Sequence, residues 1–344
     1  MSDIDIRTEG RAGRITLARP DALNALTYEM VLAIELAIDA WREDDIDLVI
    51  IDAEGSRAFC SGGDISDMYA SGLRGDYDYG RKFWRDEYRL NEKLFEYPKP
   101  IVSFLQGFTM GGGVGVGCHG SHRIVGESSQ IAMPECGIGL VPDVGGSLML
   151  TLAPGRLGEY LGTTASRMNA ADAIFVGFAD AFVPEAEWND VKAALITTGD
   201  VACIPQHTAP TGVLEALQPE IDTHFCGETL TDIVKNLRSE DTEFTASALK
   251  ALGRNAPLAM ACAVQIVRRL RSATSIGQAL EMEYRYTFRS MEQGDFIEGI
   301  RAAIIDKDRN PKWAHPAPDA VPDIDVVTMI KPLGADKLNL GDGT

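Results

Sequence analysis

The stretch PIVSFLQGFTMGGGVGVGCHGSHRI, from Pro100 to Ile124, decides how this chain is read. It opens on a β-rich apolar run, Pro100 to Leu105, and passes into Gly111-Gly112-Gly113-Val114-Gly115-Val116-Gly117. No Lys, Arg, Asp or Glu occurs between Ile101 and His122, so the run imitates a membrane span. Seven glycines between Gly107 and Gly120 would weaken a lipid-exposed helix, and the stretch reads instead as a buried strand followed by a glycine-rich turn. Residues without a Cβ let a backbone N–H approach a ligand closely. A helix starting at this point would add free N–H groups and a dipole that favour developing negative charge. Taken alone, such a turn is explained by tight packing.

Working outward, short β-rich runs alternate with helical ones: Arg14 to Ala18, a helix from Tyr28, Leu48 to Asp52, then Pro100 to Leu105. Such alternation indicates an α/β fold. Between Tyr28 and Arg42 an apolar stripe of helical period runs through Met30, Ile34, Ala37, Ile38 and Trp41, with Thr27 placed to cap it. A second helix is expected over Arg81 to Tyr97, stopped by Pro98 and Pro100. Its wheel gathers Phe83, Trp84, Tyr88, Leu90, Leu94 and Phe95 on one face and Arg85, Asp86, Arg89, Glu92, Lys93 and Glu96 on the other. Glu87 falls on the apolar face with Asn91, where a charge either finds a buried partner or faces a ligand cavity. Regular patterning dissolves over Thr197 to Gly212 and returns as mainly helical sequence to about Lys307. The expected organisation is a core over residues 1–200, a helical region over 201–313 and a tail or surface wrap over 314–344, with no internal repeat.

The chain has 344 residues, enough for one large or two modest domains. With 45% hydrophobic and 24% charged residues it is neither disordered, collagenous nor coiled-coil. Lys plus Arg number 32 against 51 Asp plus Glu, a net charge of -19 that repels phosphate backbones and anionic lipid. Neither nucleic acid nor a membrane is an expected partner, and an anionic small ligand must be held by local basic groups, backbone N–H groups or helix N-termini. Six cysteines, Cys60, Cys118, Cys136, Cys203, Cys226 and Cys262, form no CxxC pair and read as reduced, mostly buried thiols. The opening MSDIDIRTEG lacks the marks of a secretory signal or an Arg-rich transit peptide, and a cytoplasmic location is expected.

Candidate chemistry sits in a desert of charge. Between Glu127 and Arg156 only Glu135 and Asp143 are charged, in an apolar, glycine-rich run. A carboxylate there is desolvated unless paired or hydrogen-bonded, which raises its pKa toward the range useful for acid-base work. The alternative is that each caps a helix or turn, as PDVGG allows for Asp143. A second turn, Cys60-Ser61-Gly62-Gly63-Asp64-Ile65, could join the first in presenting two convergent N–H groups, an oxyanion hole whose donors are each worth about 3–4 kcal/mol. Other matches are weak. Gly115 to Gly120 fits GxGxxG without the long amphipathic helix a dinucleotide needs. His119 and His122 lack a third metal ligand nearby, and no GxSxG elbow marks a serine hydrolase.

Taken together, AFCSGGDI, QGFTMGGGVGVGCHGSHRI and AMPECGIGLVPDVGGS resemble the enoyl-CoA hydratase/isomerase (crotonase) superfamily. Asp86-Glu87-Tyr88-Arg89-Leu90-Asn91, Glu283-Tyr284-Arg285, Asp295 to Ala302 and Ile305 to Trp313 narrow the resemblance to its thioester-hydrolysing branch. It spans about residue 10 to residue 313, more weakly between Pro184 and Leu249. The resemblance implies a spiral of ββα units that binds acyl-CoA, with the thioester oxygen held by the N–H groups of Gly63 and Gly112. Hydratases of the superfamily use two glutamates; here the first position is Gly115 and only the second, Glu135, remains. In the hydrolase branch the functional acids resemble Glu87, Glu135 and Asp143, the three already marked by position. The expected reaction is hydrolysis of a short β-hydroxyacyl-CoA thioester, 3-hydroxyisobutyryl-CoA to 3-hydroxyisobutyrate and CoA in valine breakdown. Glu135 attacks or activates water, Asp143 holds the substrate hydroxyl or orients Glu135, and Glu87 lines the acyl pocket. By the same resemblance CoA runs along Ala22, Leu23, Ala25, Gly62, Gly63, Asp64 and Ile65. CoA is part of the substrate; no metal or other cofactor is expected, and a homo-oligomer is possible. The alternatives are a hydratase or isomerase reaction on another acyl-CoA, or a CoA-binding protein without catalysis.

Overall fold

The computed structural model describes residues 3–341, which group into two compact units, both discontinuous in sequence. The first takes the chain up to Asp64, then Arg89–Ala132 and Arg167–Glu215; the second takes Ile65–Tyr88, Met133–Ser166 and Ala216 onward. Residues 133–166, although early in the chain, thus belong with the C-terminal part.

The first unit holds the strands β1 (Ile4–Glu9), β2 (Ala12–Leu17), β3 (Leu48–Ala53), β4 (Ala58–Cys60), β5 (Ile101–Phe104), β6 (Phe108–Met110), β7 (His122–Val125), β8 (Gln130–Ala132) and β9 (Ala181–Phe182). They form a six-stranded sheet in the order β1-β2-β3-β5-β7-β9 and a three-stranded sheet in the order β4-β6-β8. Only β1 and β2 pair antiparallel. Each pair of consecutive strands, β3 and β4, β5 and β6, β7 and β8, places one strand in each sheet, and a helical segment follows in the chain. That repeat is the ββα spiral that the family resemblance implies. It explains why β3 and β5 are buried almost without a break and mostly apolar: parallel strands covered on both faces have no exposed side to alternate.

One face of the large sheet packs Leu48, Ile50, Val102, Phe104 and Ile124 against Trp188, Val191 and Leu195 of the Trp188–Thr198 helix. The Trp188 indole N–H donates to the Val183 carbonyl at 2.8 Å, so the ring is buried without an orphaned donor. The Tyr28–Arg42 helix forms with the expected bounds, and Thr27 accepts the Met30 N–H.

The second unit is mainly helical. Its central Pro257–Arg269 helix buries almost every residue from Pro257 to Val267, as a helix apolar all round must. Three expectations need correction. The apolar-face helix begins at Asp78 rather than Arg81 and ends at Phe95, and Phe95 itself is 46% exposed because it lies in the final turn. Asp86, assigned to the polar face, is buried. Within the region read as a tail, a helix over Asp323–Ile330 buries Val326, Met329 and Ile330. Arg289 caps its end by donating to the Met329 and Lys331 carbonyls, both at 2.9 Å. Eight residues are too few for a helical period to stand out in sequence. No helix among the described residues is long and apolar enough to cross a membrane.

Candidate active site

In the first unit, β4 and β6 are parallel neighbours, so the turns that follow them emerge side by side. Gly62, at φ 113, and Gly111, at φ 52, hold backbone conformations that a side chain would oppose. A Cβ on Gly62 would lie 3.3 Å from the Met110 carbonyl and 3.9 Å from the Gly112 nitrogen, and one on Gly113 would lie 2.4 Å from the Cys60 carbonyl. Tight packing and close approach are therefore the same fact here. Gly112 opens the six-residue helix Gly112–Gly117, the helix start that the sequence allowed beside a plain glycine turn, and its N–H is one of the helix's unpaired donors. Among the described residues neither the Gly63 nor the Gly112 N–H has an acceptor.

The predicted CoA-contacting loops are laced together in the same unit. Ser61 N–H donates to the Leu23 carbonyl at 3.0 Å, Leu26 N–H to Gly62 at 2.9 Å and Asp64 N–H to Leu26 at 2.7 Å. Asn24, 1% exposed and at φ 54, anchors the turn between Ala22 and Ala25 by donating to the Glu54 and Ala58 carbonyls, each at 2.9 Å. Leu23 is left-handed as well, at φ 52. Ile65 falls in the second unit, just before the Ser66–Leu73 helix. His119 packs edge-on against Phe95, and His122 shares a 2.9 Å hydrogen bond with Ser121.

The three acids come together in the second unit. Glu87 is 3% exposed on the apolar face of its helix; Glu135 and Asp143, both 4% exposed, stand at the start of a 3-10 turn over Glu135–Ile138 and just before the Gly146–Leu152 helix. Burial, then the charge of Asp143, pushes the carboxyls of both Glu87 and Glu135 well above the ordinary carboxylate range. Burial lifts Asp143 to about 7, against a hydrogen bond from the Tyr88 hydroxyl at 2.8 Å that favours its ionised form. Oε2 of Glu135 is buried without a hydrogen-bond partner. Carboxyls that perturb one another in this way release their protons as a group, so near neutral pH the cluster both holds and gives up protons.

Two members escaped the sequence reading. Tyr88 is fully buried, meets Tyr284 edge-on at 6.2 Å and donates to Asp143. Glu283 is fully buried on the Ile276–Gln293 helix, and burial pushes it up to about 8, with Asp143 adding to the shift. A signal existed for both. Tyr88 adjoins Glu87, and Glu283 stands among the buried Leu280, Tyr284, Thr287 and Met291 at helical spacing, the same anomaly that exposed Glu87. No group of three His, Cys, Asp or Glu among the described residues is arranged to hold a metal ion.

Comparison with known proteins adds the relatives. The enoyl-CoA hydratase/isomerase family model matches residues 12–330. The chain is 33% identical to the 3-hydroxyisobutyryl-CoA hydrolase, mitochondrial, of Gallus gallus, over 98% of its own length and 91% of that protein's. A solved structure described as an enoyl-CoA hydratase from Rhodobacter sphaeroides 2.4.1 is 56% identical, with a TM-score of 0.96 over 98% of this chain and 100% of that one. One described as a carnitinyl-CoA dehydratase from Mycobacterium thermoresistibile is 36% identical, with a TM-score of 0.94 over the full length of both. The ββα spiral, the paired glycine turns and a family match running nearly end to end have one common explanation: this chain belongs to the enoyl-CoA hydratase/isomerase family.

Proposed function

We propose that the protein hydrolyses a short-chain β-hydroxyacyl-CoA thioester, with 3-hydroxyisobutyryl-CoA as the substrate and 3-hydroxyisobutyrate and CoA as products. The observation that carries this reading is the buried cluster of Glu87, Glu135 and Asp143, in which Glu135 keeps an unpartnered carboxylate oxygen. The relatives named 3-hydroxyisobutyryl-CoA hydrolase, 33% identical in Gallus gallus and 36% in Danio rerio, support it.

In this reading the thioester carbonyl accepts from the Gly63 and Gly112 N–H groups, which hold the tetrahedral oxyanion more strongly than the ground-state carbonyl. Glu135 either attacks the carbonyl carbon, giving an anhydride that water then opens, or takes a proton from the attacking water. Both routes consume one water and release CoA as its thiol. After a single turnover in water labelled with oxygen-18, label in Glu135 identifies an anhydride opened at the Glu135 carbonyl, whereas label in the product acid alone fits direct attack by water or an anhydride opened at the acyl carbon. Asp143 takes the substrate hydroxyl or orients Glu135, and Glu87 lines the acyl pocket. The reaction draws on side chains, backbone N–H groups and water, and the proposal includes no metal or redox group.

A hydratase reading is favoured by the description of the Rhodobacter sphaeroides structure. Against it stands Gly115, which supplies no carboxylate where the two-glutamate reaction needs its first. Reduced thiols suit the cytosol and the mitochondrial matrix alike, and the Gallus gallus relative is named mitochondrial. The compartment is accordingly proposed only as a reducing one.

The test is thiol release from 3-hydroxyisobutyryl-CoA beside loss of the enoyl chromophore of crotonyl-CoA. Thiol release by the unaltered protein, reduced about 1,000-fold or more in Glu135→Ala, is the expected outcome. Hydration of crotonyl-CoA without thiol release would replace the hydrolase by a hydratase; CoA binding with neither would leave a binding protein.

A further inference from the structure

The route above gives Glu283 no step, yet its carboxyl is fully buried and engaged. It accepts the Gly145 N–H at 2.9 Å, the Ser147 N–H at 3.1 Å and the Ser147 hydroxyl. Those donors flank an unusual piece of backbone: Val144 sits at φ 53 and Gly145 at φ 79. For glycine the left-handed region is ordinary, whereas a buried β-branched residue stays there only when its surroundings over-determine it. Asp143 immediately precedes this turn. Its carbonyl accepts the Gly146 N–H at 2.7 Å and its carboxyl accepts the Tyr88 hydroxyl, so the direction of its side chain depends on where the turn is held.

We propose that Glu283 is a positioning residue: by gripping Gly145 and Ser147 it holds the left-handed turn at Val144 that aims the Asp143 carboxyl. Its effect on rate rests on the hydrolase reading; its grip on the turn does not. Three donors converge on the two oxygens of one side chain, and their hydrogen bonds oppose the upward push that burial gives its pKa. A glutamine of the same shape offers one oxygen and turns an N–H₂ toward the remaining donors. The titratable groups facing this arrangement are Asp143 itself, Tyr88 and Glu87 from the Asp78–Phe95 helix, and Glu135 from the 3-10 turn.

The experiment compares the full-length protein with Glu283→Gln, Glu283→Asp, Val144→Gly and the Glu283→Gln/Val144→Gly pair. Hydrogen exchange over residues 143–150 reads the grip without substrate. Thiol release from about pH 5 to about pH 9 reads its consequence. Glu283→Gln is expected to exchange faster at Gly145 and Ser147 and to lose about 10–100-fold in kcat with little change in KM, since misplacing a reacting group slows chemistry more than binding. Its pH profile shifts, because a member of the carboxyl cluster is gone. Val144→Gly, which makes the left-handed turn effortless, returns part of the lost kcat in the pair while leaving the altered pH profile, and Glu283→Asp retains more activity than Glu283→Gln. A merely structural carboxylate would give a less stable protein of unchanged kcat and pH profile; that result, or strict additivity of the pair, overturns the proposal. If Glu283→Gln does not fold, Ser147→Ala, which removes one donor alone, takes its place, and an unchanged pH profile there is equally fatal. Absence of thiol release in the unaltered protein strikes only the hydrolase reading, whereas unchanged exchange in Glu283→Gln strikes only the grip.

Discussion

At the scale of single residues the site is a problem in proton storage. Glu87, Glu135, Asp143 and Glu283 are all buried, and each is easier to keep neutral than to ionise. The Tyr88 hydroxyl, at 2.8 Å, is the side-chain group that favours the Asp143 anion. Tyr88→Phe should therefore push Asp143 above its present value of about 7 and slow thiol release about ten-fold, the loss expected for one hydrogen bond to a charged group. Carbon-13 titration of the Asp143 carboxyl, identified by its disappearance in Asp143→Asn, measures the first effect; an unchanged or lower midpoint would contradict it. Asp143→Asn should itself reduce thiol release about 100-fold or more, read beside Glu135→Ala in the same assay.

At the scale of elements, the strand ends and the glycines after them are one device. Because a Cβ on Gly113 would meet the Cys60 carbonyl at 2.4 Å, Gly113→Ala must part the ends of β4 and β6. Urea denaturation should show a loss of about 1–3 kcal/mol, the ordinary cost of overpacking, together with weakened turnover. A second element-level device ties the sheet to its covering helix. Asp52 of β3, 2% exposed, accepts from Thr16 at 2.7 Å and pairs with Arg14 and Lys192, each at 2.8 Å. Burial alone would raise its pKa, but Lys192, Thr16 and Arg14 outweigh burial and lower it. Asp52→Ala leaves two cations facing each other and should cost about 3 kcal/mol, whereas Asp52→Asn, which keeps the Thr16 contact, should cost less. Equal losses in the two variants would show that the lost charge, and not the Thr16 contact, sets the cost.

For the molecule as a whole the carboxyl cluster couples stability to pH with a definite sign. Asp143 rises from an ordinary 3.8 to about 7 and Glu283 from 4.5 to about 8, so between those limits the folded protein holds protons that the unfolded chain has lost. Stability from these groups is complete below about pH 4 and is lost as pH rises through about 7 and about 8. The melting temperature at constant ionic strength should fall toward pH 8, and the Asp143→Asn and Glu283→Gln variants should reduce that fall by about 5 °C. Identical pH slopes in unaltered and substituted proteins would remove the cluster as its cause.

What the sequence determined by itself was whatever short-range pattern records. Alternating β-rich and helical runs gave the α/β class, Thr27 and a stripe of helical period located the Tyr28–Arg42 helix, charge-poor surroundings marked Glu135 and Asp143, and a place on an apolar helix face marked Glu87. Burial leaves that record because a strand covered on both faces, or an acid inside an apolar stripe, is visible within a few residues of itself. Tertiary structure alone decided which distant residues meet. Glu283 reaches the Asp143 turn across more than a hundred residues, residues 133–166 join the C-terminal unit, and the glycine turns become neighbours only once β4 and β6 pair. No local period encodes such meetings, because they are set by how whole sheets and helices pack, and a carboxylate whose partners are backbone N–H groups leaves no complementary residue type in the sequence to betray them.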